Sequence, residues 1–216
     1  MLSADEVEAM VRSCEHLRAV WLHYQVLFEE SELRRSLLHR IAPIFFDDLS
    51  QVFIEHLVLQ VCRITDPALA KRGRVNLTLD YVLREGNFAA APGDLVRLTE
   101  LHGSIAGFRS KIVPARNRLV SHLDREAVMG GRPLGGASKA EWDAFWTDLE
   151  AFLHIVYTRY VDPSGTFYLN RIRMLTDADS VVKALKECTF FRAALDHNAL
   201  TDTVADLAAA SEFFDA

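Results

Sequence analysis

Apolar residues recur in steps of three and four along most of this chain. Val7, Met10, Cys14, Leu17, Trp21, Tyr24 and Phe28 keep that spacing over three heptads, which predicts one amphipathic helix with all seven on a single stripe. Ser3, with Glu6 three residues later, supplies a capping box for its start. Ile41 to Ile64 is apolar on nearly every side, so it is expected to be the central and most buried helix. Pro43 fits in its first turn, where a missing N–H costs nothing, and Asp66-Pro67 ends it. A basic loop (Lys71, Arg72, Gly73, Arg74) and a short helical piece around Leu77–Leu83 follow.

Asn87 to Gly93 is a break, after which Asp94 is expected to cap a third long helix striped by Leu98, Leu101, Ile105, Phe108, Ile112, Ala115 and Leu119. The glycine-rich stretch Gly130–Gly136 closes it. No Gly-Lys-Ser/Thr follows at the required spacing, so this is not a phosphate-binding P-loop. Ser138 with Glu141 starts a fourth helix carrying Trp142, Phe145, Leu149, Phe152, Val156 and Tyr160. Val161 to Gly165 reads as a turn, and two weaker helical patterns lie beyond it, about Ser180–His197 and Thr201–Phe214. No strand-like alternation occurs. The reading is all-α: an antiparallel four-helix bundle over residues 1–160, with a C-terminal helical extension over 161–216 packed on or beside it.

Composition narrows the class. Half of the 216 residues are apolar and a quarter are charged, which excludes a disordered chain. No apolar run approaches the roughly 20 residues of a membrane span. The acidic start, Met1-Leu2-Ser3-Ala4-Asp5-Glu6, has no basic region of the kind that opens a signal peptide. Cys14, Cys62 and Cys188 are odd in number and far apart, as reduced thiols of a cytoplasmic protein would be. The formal net charge of −6 opposes wholesale attraction to nucleic acid or anionic membrane. Between Arg109 and Arg132, however, six cations face only Asp124 and Glu126. A locally basic segment in an acidic chain suits a phosphate-binding cleft.

The candidate chemistry lies in that segment, in Pro114-Ala115-Arg116-Asn117-Arg118-Leu119-Val120-Ser121-His122. Arg116 and His122 are six residues apart, roughly 9 Å along a helix axis and about 120° around it. An arginine arm spans such a gap, Pro114 is expected to kink the helix just before the pair, and Arg118 faces His122 more directly. Arginine offers a permanently charged fork for phosphate. Histidine exchanges protons near neutral pH. Together they suit phosphodiester cleavage, in which charge builds on phosphorus-bound oxygen while protons move. A histidine beside an apolar stripe is more often a hydrogen-bonded structural residue. His16 and His23 share a face of the first helix but lack the third ligand a zinc site needs. No H-E-x-x-H or paired E-x-x-H occurs, so no metal site is expected.

Arg116-Asn117, four residues and then His122, near the end of a long helix, resembles the signature of the HEPN superfamily. Taken with Ile41-Ala42-Pro43-Ile44-Phe45-Phe46 and Arg63-Ile64-Thr65-Asp66-Pro67 in that order, it resembles the HEPN-like domain of bacterial abortive-infection proteins of the U type, over about residues 1–160. The resemblance implies a metal-independent, cofactor-free endoribonuclease, dimeric, with the motifs of two protomers facing one cleft. Arg116 would hold the scissile phosphate, His122 would serve as acid or base in attack by the ribose 2′-hydroxyl, and Asn117 would orient the pair. Arg118, Arg109 and Lys111 would line the RNA-binding cleft. RNA, a second copy of the chain, and an antitoxin or other protein are the expected partners. HEPN toxins paired with nucleotidyltransferase antitoxins carry a tyrosine two residues after the histidine, where this chain has Asp124. Many relatives have lost catalysis, so a non-catalytic HEPN-fold interaction module is the alternative reading. A catalytic arrangement requires Arg116 and His122 to reach solvent and Arg116 not to be consumed by Asp66 or Asp124.

Overall fold

A computed structural model describes residues 1–69, 73–117, 136–165, 167, 169 and 175–196. Helix α1 runs Ala4–Tyr24, with the predicted capping box closed by Ser3 and Glu6. It does not continue as an α-helix to Phe28. Gln25–Glu29 forms a π-helical turn, with one more residue per hydrogen-bonded ring than α. That turn buries Val26 and Leu27, which lie off the predicted stripe, while Tyr24 and Phe28 pack against Phe53. A helix the periodicity did not resolve follows: α2, Glu32–Ile41, capped by the Ser31 hydroxyl.

Helix α3, Pro43–Thr65, carries Pro43 in its first turn and stops at Asp66, whose extended backbone precedes Pro67 as expected. Its burial differs from the sequence reading. Leu57, Val58, Val61, Cys62 and Ile64 are enclosed, but in the first half Ile44 is 77% exposed and Phe45 and Val52 are each 60% exposed. The first half of α3 projects beside α2, with no helix among the described residues over its outer side. The most buried helix is instead α6, Lys139–Tyr160, which packs against both α5 and α1 and encloses Leu149, Phe152 and Leu153 completely.

Thr78 caps the short α4, Leu79–Glu85. At its end a Cβ on Gly86 would sit 2.3 Å from the Phe88 ring and 2.6 Å from the Val82 carbonyl, so the turn requires glycine. Helix α5, Pro92–Ala115, starts three residues earlier than predicted. Ala91 stands at the cap position without a side-chain bond, Pro92 fills the first turn, and Asp94 lies inside it rather than capping it. The predicted stripe Leu98, Leu101, Ile105, Phe108 and Ile112 is buried. The box of Ser138 and Glu141 opens α6 as read from the sequence. Helix α7, Leu175–Asp196, is longer than its pattern suggested. The expected helix at Thr201–Phe214 lies outside the described residues.

Helices α1, α3, α5 and α6 touch in a closed ring, α1 to α3 to α5 to α6 and back to α1. Cross-helix pairs fix their sense. Lys111 meets Glu141 while Ser104 meets Asp148, so α5 and α6 run antiparallel; Tyr24 meets Phe53 while His16 meets His56, so α1 and α3 do as well. This is an all-α bundle, and its interior is one large apolar cluster drawn from all four helices. A second, smaller cluster is separate: Val26 and Leu27 of the π turn, Leu38 of α2, Phe46 of α3, and Ala178 and Val182 of α7. Arg34 ties that unit together, bonding the Val26 carbonyl at 3.0 Å, Glu30 at 2.6 Å and Asp179 at 2.9 Å.

Candidate functional site

The C-terminal end of α5 and the C-terminal end of α3 meet. Pro114 lies in the last turn of α5, where it cannot donate to the carbonyl four residues before it. The chain then widens to π geometry at Arg116 and Asn117. Arg116 is partly open, its side chain 32% exposed, and its Nη1 donates to Oδ1 of Asn117 at 3.3 Å. Its Nη2 stands 3.8 Å from Oδ2 of Asp66, while the buried Nε has no hydrogen-bond partner among the described residues.

Asp66 is shared. Its Oδ1 accepts from Nη2 of Arg109 at 2.5 Å, and the Arg109 Nε is likewise buried with no partner among the described residues. Among the described residues, one carboxylate therefore stands between two guanidiniums, leaving a net positive charge and two buried N–H donors unpaired. Beneath them Cys62 is enclosed. Burial pushes its thiol up, and the fields of Arg109 and Arg116 pull it partly back. A thiol so placed is inert as a nucleophile.

The predicted residues are thus divided. Arg116, Asn117 and Arg109 come together around Asp66. Lys111 points elsewhere, to an ion pair with Glu141 that joins α5 to the first turn of α6. That pair and the Ser138 cap hold the Glu141 carboxyl down at about 2. Arg118 and His122 lie outside the described residues, as does Asp124. Asp66, which the sequence offered as a helix end and as a possible competitor for Arg116, is the carboxylate that both arginines face, and its hydrogen bond to Arg109 is the part that the sequence did not show.

Among the described residues, no group of three or more histidine, cysteine or acidic side chains is placed to hold a metal ion. His16 packs edge-on against His56 of α3, ring centres 6.2 Å apart. No helix of the described residues is long and apolar enough to cross a membrane. The chemistry on offer at the α3–α5 junction is anion binding by a fork that a carboxylate only partly occupies.

A family model for HEPN domains, HEPN_AbiU2 (AbiU2), matches residues 4–166. No curated protein matches the chain, and no solved structure does.

Proposed function

The chain belongs to the AbiU2 family of HEPN domains, an abortive-infection family, and from that premise we propose that it is a metal-independent endoribonuclease of bacterial defence. It acts in the cytoplasm as a homodimer whose two motifs face one cleft. The observation that carries the reading is the Arg116 fork, partly open to solvent and held by Asn117 and Asp66 at the end of α5. In the reaction the ribose 2′-oxygen attacks the adjacent phosphorus. A new O–P bond forms, the bond to the 5′-oxygen breaks, and a 2′,3′-cyclic phosphate remains. His122 takes the 2′-hydroxyl proton or delivers one to the leaving oxygen, and Arg116 balances the charge on the phosphoryl oxygens. The exposed Ile44, Phe45 and Val52 support self-association, because a symmetric dimer would cover one such patch with its copy.

A second reading has its own support. Asp66 already faces Arg116, and Arg109 and Lys111 are in ion pairs; a non-catalytic HEPN-fold interaction module would need nothing more. Labelled RNA incubated with the purified chain in excess EDTA decides between them. Cleavage that survives EDTA, leaves a cyclic phosphate and falls by about 10²–10⁴-fold in His122→Ala, with the melting temperature unchanged, supports the ribonuclease. Full activity in both His122→Ala and Arg116→Ala, or no cleavage by the unaltered chain, transfers the case to the module.

A further inference from the structure

A concave pocket opens where the π turn, α2 and the first half of α3 converge. Its volume is about 530 Å³, within the range of small-molecule sites. Aromatic rings from three elements line it: Tyr24 at the end of α1, Phe28 in the π turn and Phe46 in α3. The Tyr24 and Phe28 ring centres lie 5.5 Å apart, and Trp21 stacks on Tyr24 at 5.8 Å. Tyr24 is also hydrogen-bonded with Ser50 of α3, so two helices hold the ring in place.

The polar side of the pocket comes from α2 and from Asp47 of α3. Arg35 is already engaged by Glu32, its ion-pair partner one turn away. Asp47 is exposed, and its carboxylate makes no ion pair or hydrogen bond among the described residues. With histidine neutral, the lining holds two carboxylates and one guanidinium, a net negative charge. Burial and then the field of Glu29 push the Tyr24 hydroxyl up, while Ser50 and Arg35 pull it partly back. The tyrosine therefore stands in a field of the same negative sign.

These features select a ligand chemistry. The face of an aromatic ring is electron-rich and attracts a cation. It satisfies N–H donors poorly, so a primary ammonium pressed against such a wall would strand donors that water had bonded. An ammonium whose hydrogens are replaced by alkyl groups has none to strand. We propose that this pocket binds an N-alkylated organic ammonium ion, seated against Tyr24, Phe28 and Phe46 and paired with Asp47. The same charge repels a phosphate-bearing ligand. From Ser50 to Thr65 is about 22 Å of helix, so the pocket is separate from the Arg116 fork, and the inference does not depend on the ribonuclease reading.

Isothermal titration calorimetry on the full chain tests this with choline and two controls. Ethanolamine is the same molecule without its methyl groups. Dimethylbutanol keeps the shape, with carbon in place of the charged nitrogen. Choline should bind, and both controls should bind several-fold more weakly. Asp47→Asn and Phe28→Leu should each weaken choline by about 2- to 5-fold. Asp47 is exposed, so its variant should keep the parent melting temperature. Glu100→Gln, on an α5 carboxylate paired with Arg97, should change nothing.

Absence of choline binding overturns the inference. Equal binding of dimethylbutanol shows an apolar crevice without charge recognition and overturns it too. Ethanolamine binding as tightly as choline overturns the alkylated assignment. Unaltered choline affinity in both pocket variants places the ligand elsewhere on the chain; if Phe28→Leu lowers the melting temperature, Asp47→Asn alone decides. Uridine monophosphate binding that Arg35→Ser abolishes, with choline unbound, assigns the pocket to an anion instead.

Discussion

Arg109 donates to Asp66 at 2.5 Å from 43 residues further along the chain, and so joins the ends of α3 and α5. The second oxygen of the same carboxylate faces Arg116 at 3.8 Å. Asp66 therefore has two opposed effects: it fixes the Arg109 guanidinium beside Arg116, and under the ribonuclease reading it would compete with a phosphate for both. Asp66→Asn keeps the shape and removes the charge. Its expected outcome is a loss of about 1 kcal/mol in urea-unfolding stability together with tighter RNA binding. Weaker RNA binding at unchanged stability would contradict this account of Asp66.

Burial separates two phenylalanines that look alike in the sequence. Phe152 is fully enclosed in the main core, so Phe152→Ala should cost about 3–5 kcal/mol. Phe45 is mostly exposed, and Phe45→Ser should leave the fold within about 0.5 kcal/mol. If α3 carries the dimer contact, light scattering should show the Phe45→Ser chain dissociating at concentrations where the unaltered chain stays associated. A monomer mass for the unaltered chain at every concentration removes the dimer.

Arg34 links three parts of the smaller core, and its side chain is only 15% exposed. Arg34→Ala removes bonds to Val26, Glu30 and Asp179 at once. Hydrogen exchange should then speed up in α2, the π turn and α7, while amides of α6 keep their protection, because the two apolar clusters are separate. Uniform loss across both clusters would show that they unfold as one.

Glu141 sets an acid limit. Its folded value of about 2 lies below the ordinary carboxylate value of 4.5, so the contact stabilises the fold above about 4.5. That contribution fades as pH falls through 2. Melting temperatures between pH 5 and 2 should fall more gently in Glu141→Gln than in the unaltered chain. The effect is small because the pair is exposed to solvent, and parallel curves for the two chains would discount it.

Helices whose apolar spacing agreed with their caps were legible in advance. Ser3 with Glu6 and Ser138 with Glu141 opened α1 and α6 where the sequence placed them, and Asp66-Pro67 closed α3. Periodicity could not show which side of a helix another element would cover. The segment Ile41–Ile64 is apolar nearly all round, yet only its second half meets the bundle. Helix α2 escaped because Glu32–Ile41 has a single enclosed residue, Leu38. At the site, the resemblance to the HEPN signature pointed to Arg116 and Asn117. It could not reveal that Arg109 and Arg116 converge on Asp66, a contact set by the packing of two distant helices.

The π turn at Gln25–Glu29 carries one residue more than an α-helical turn would. Its place in the chain is therefore a point where length can change by one residue at low cost. Deleting a residue there would let the turn relax into ordinary α geometry, with the upstream contacts of Cys14, Leu17 and Trp21 left in phase. The same deletion in the middle of α1 would rotate every later side chain by about 100° and turn that stripe out of the core. Single-residue gaps between relatives of this chain should accordingly gather at Gln25–Glu29 and spare the helix before it.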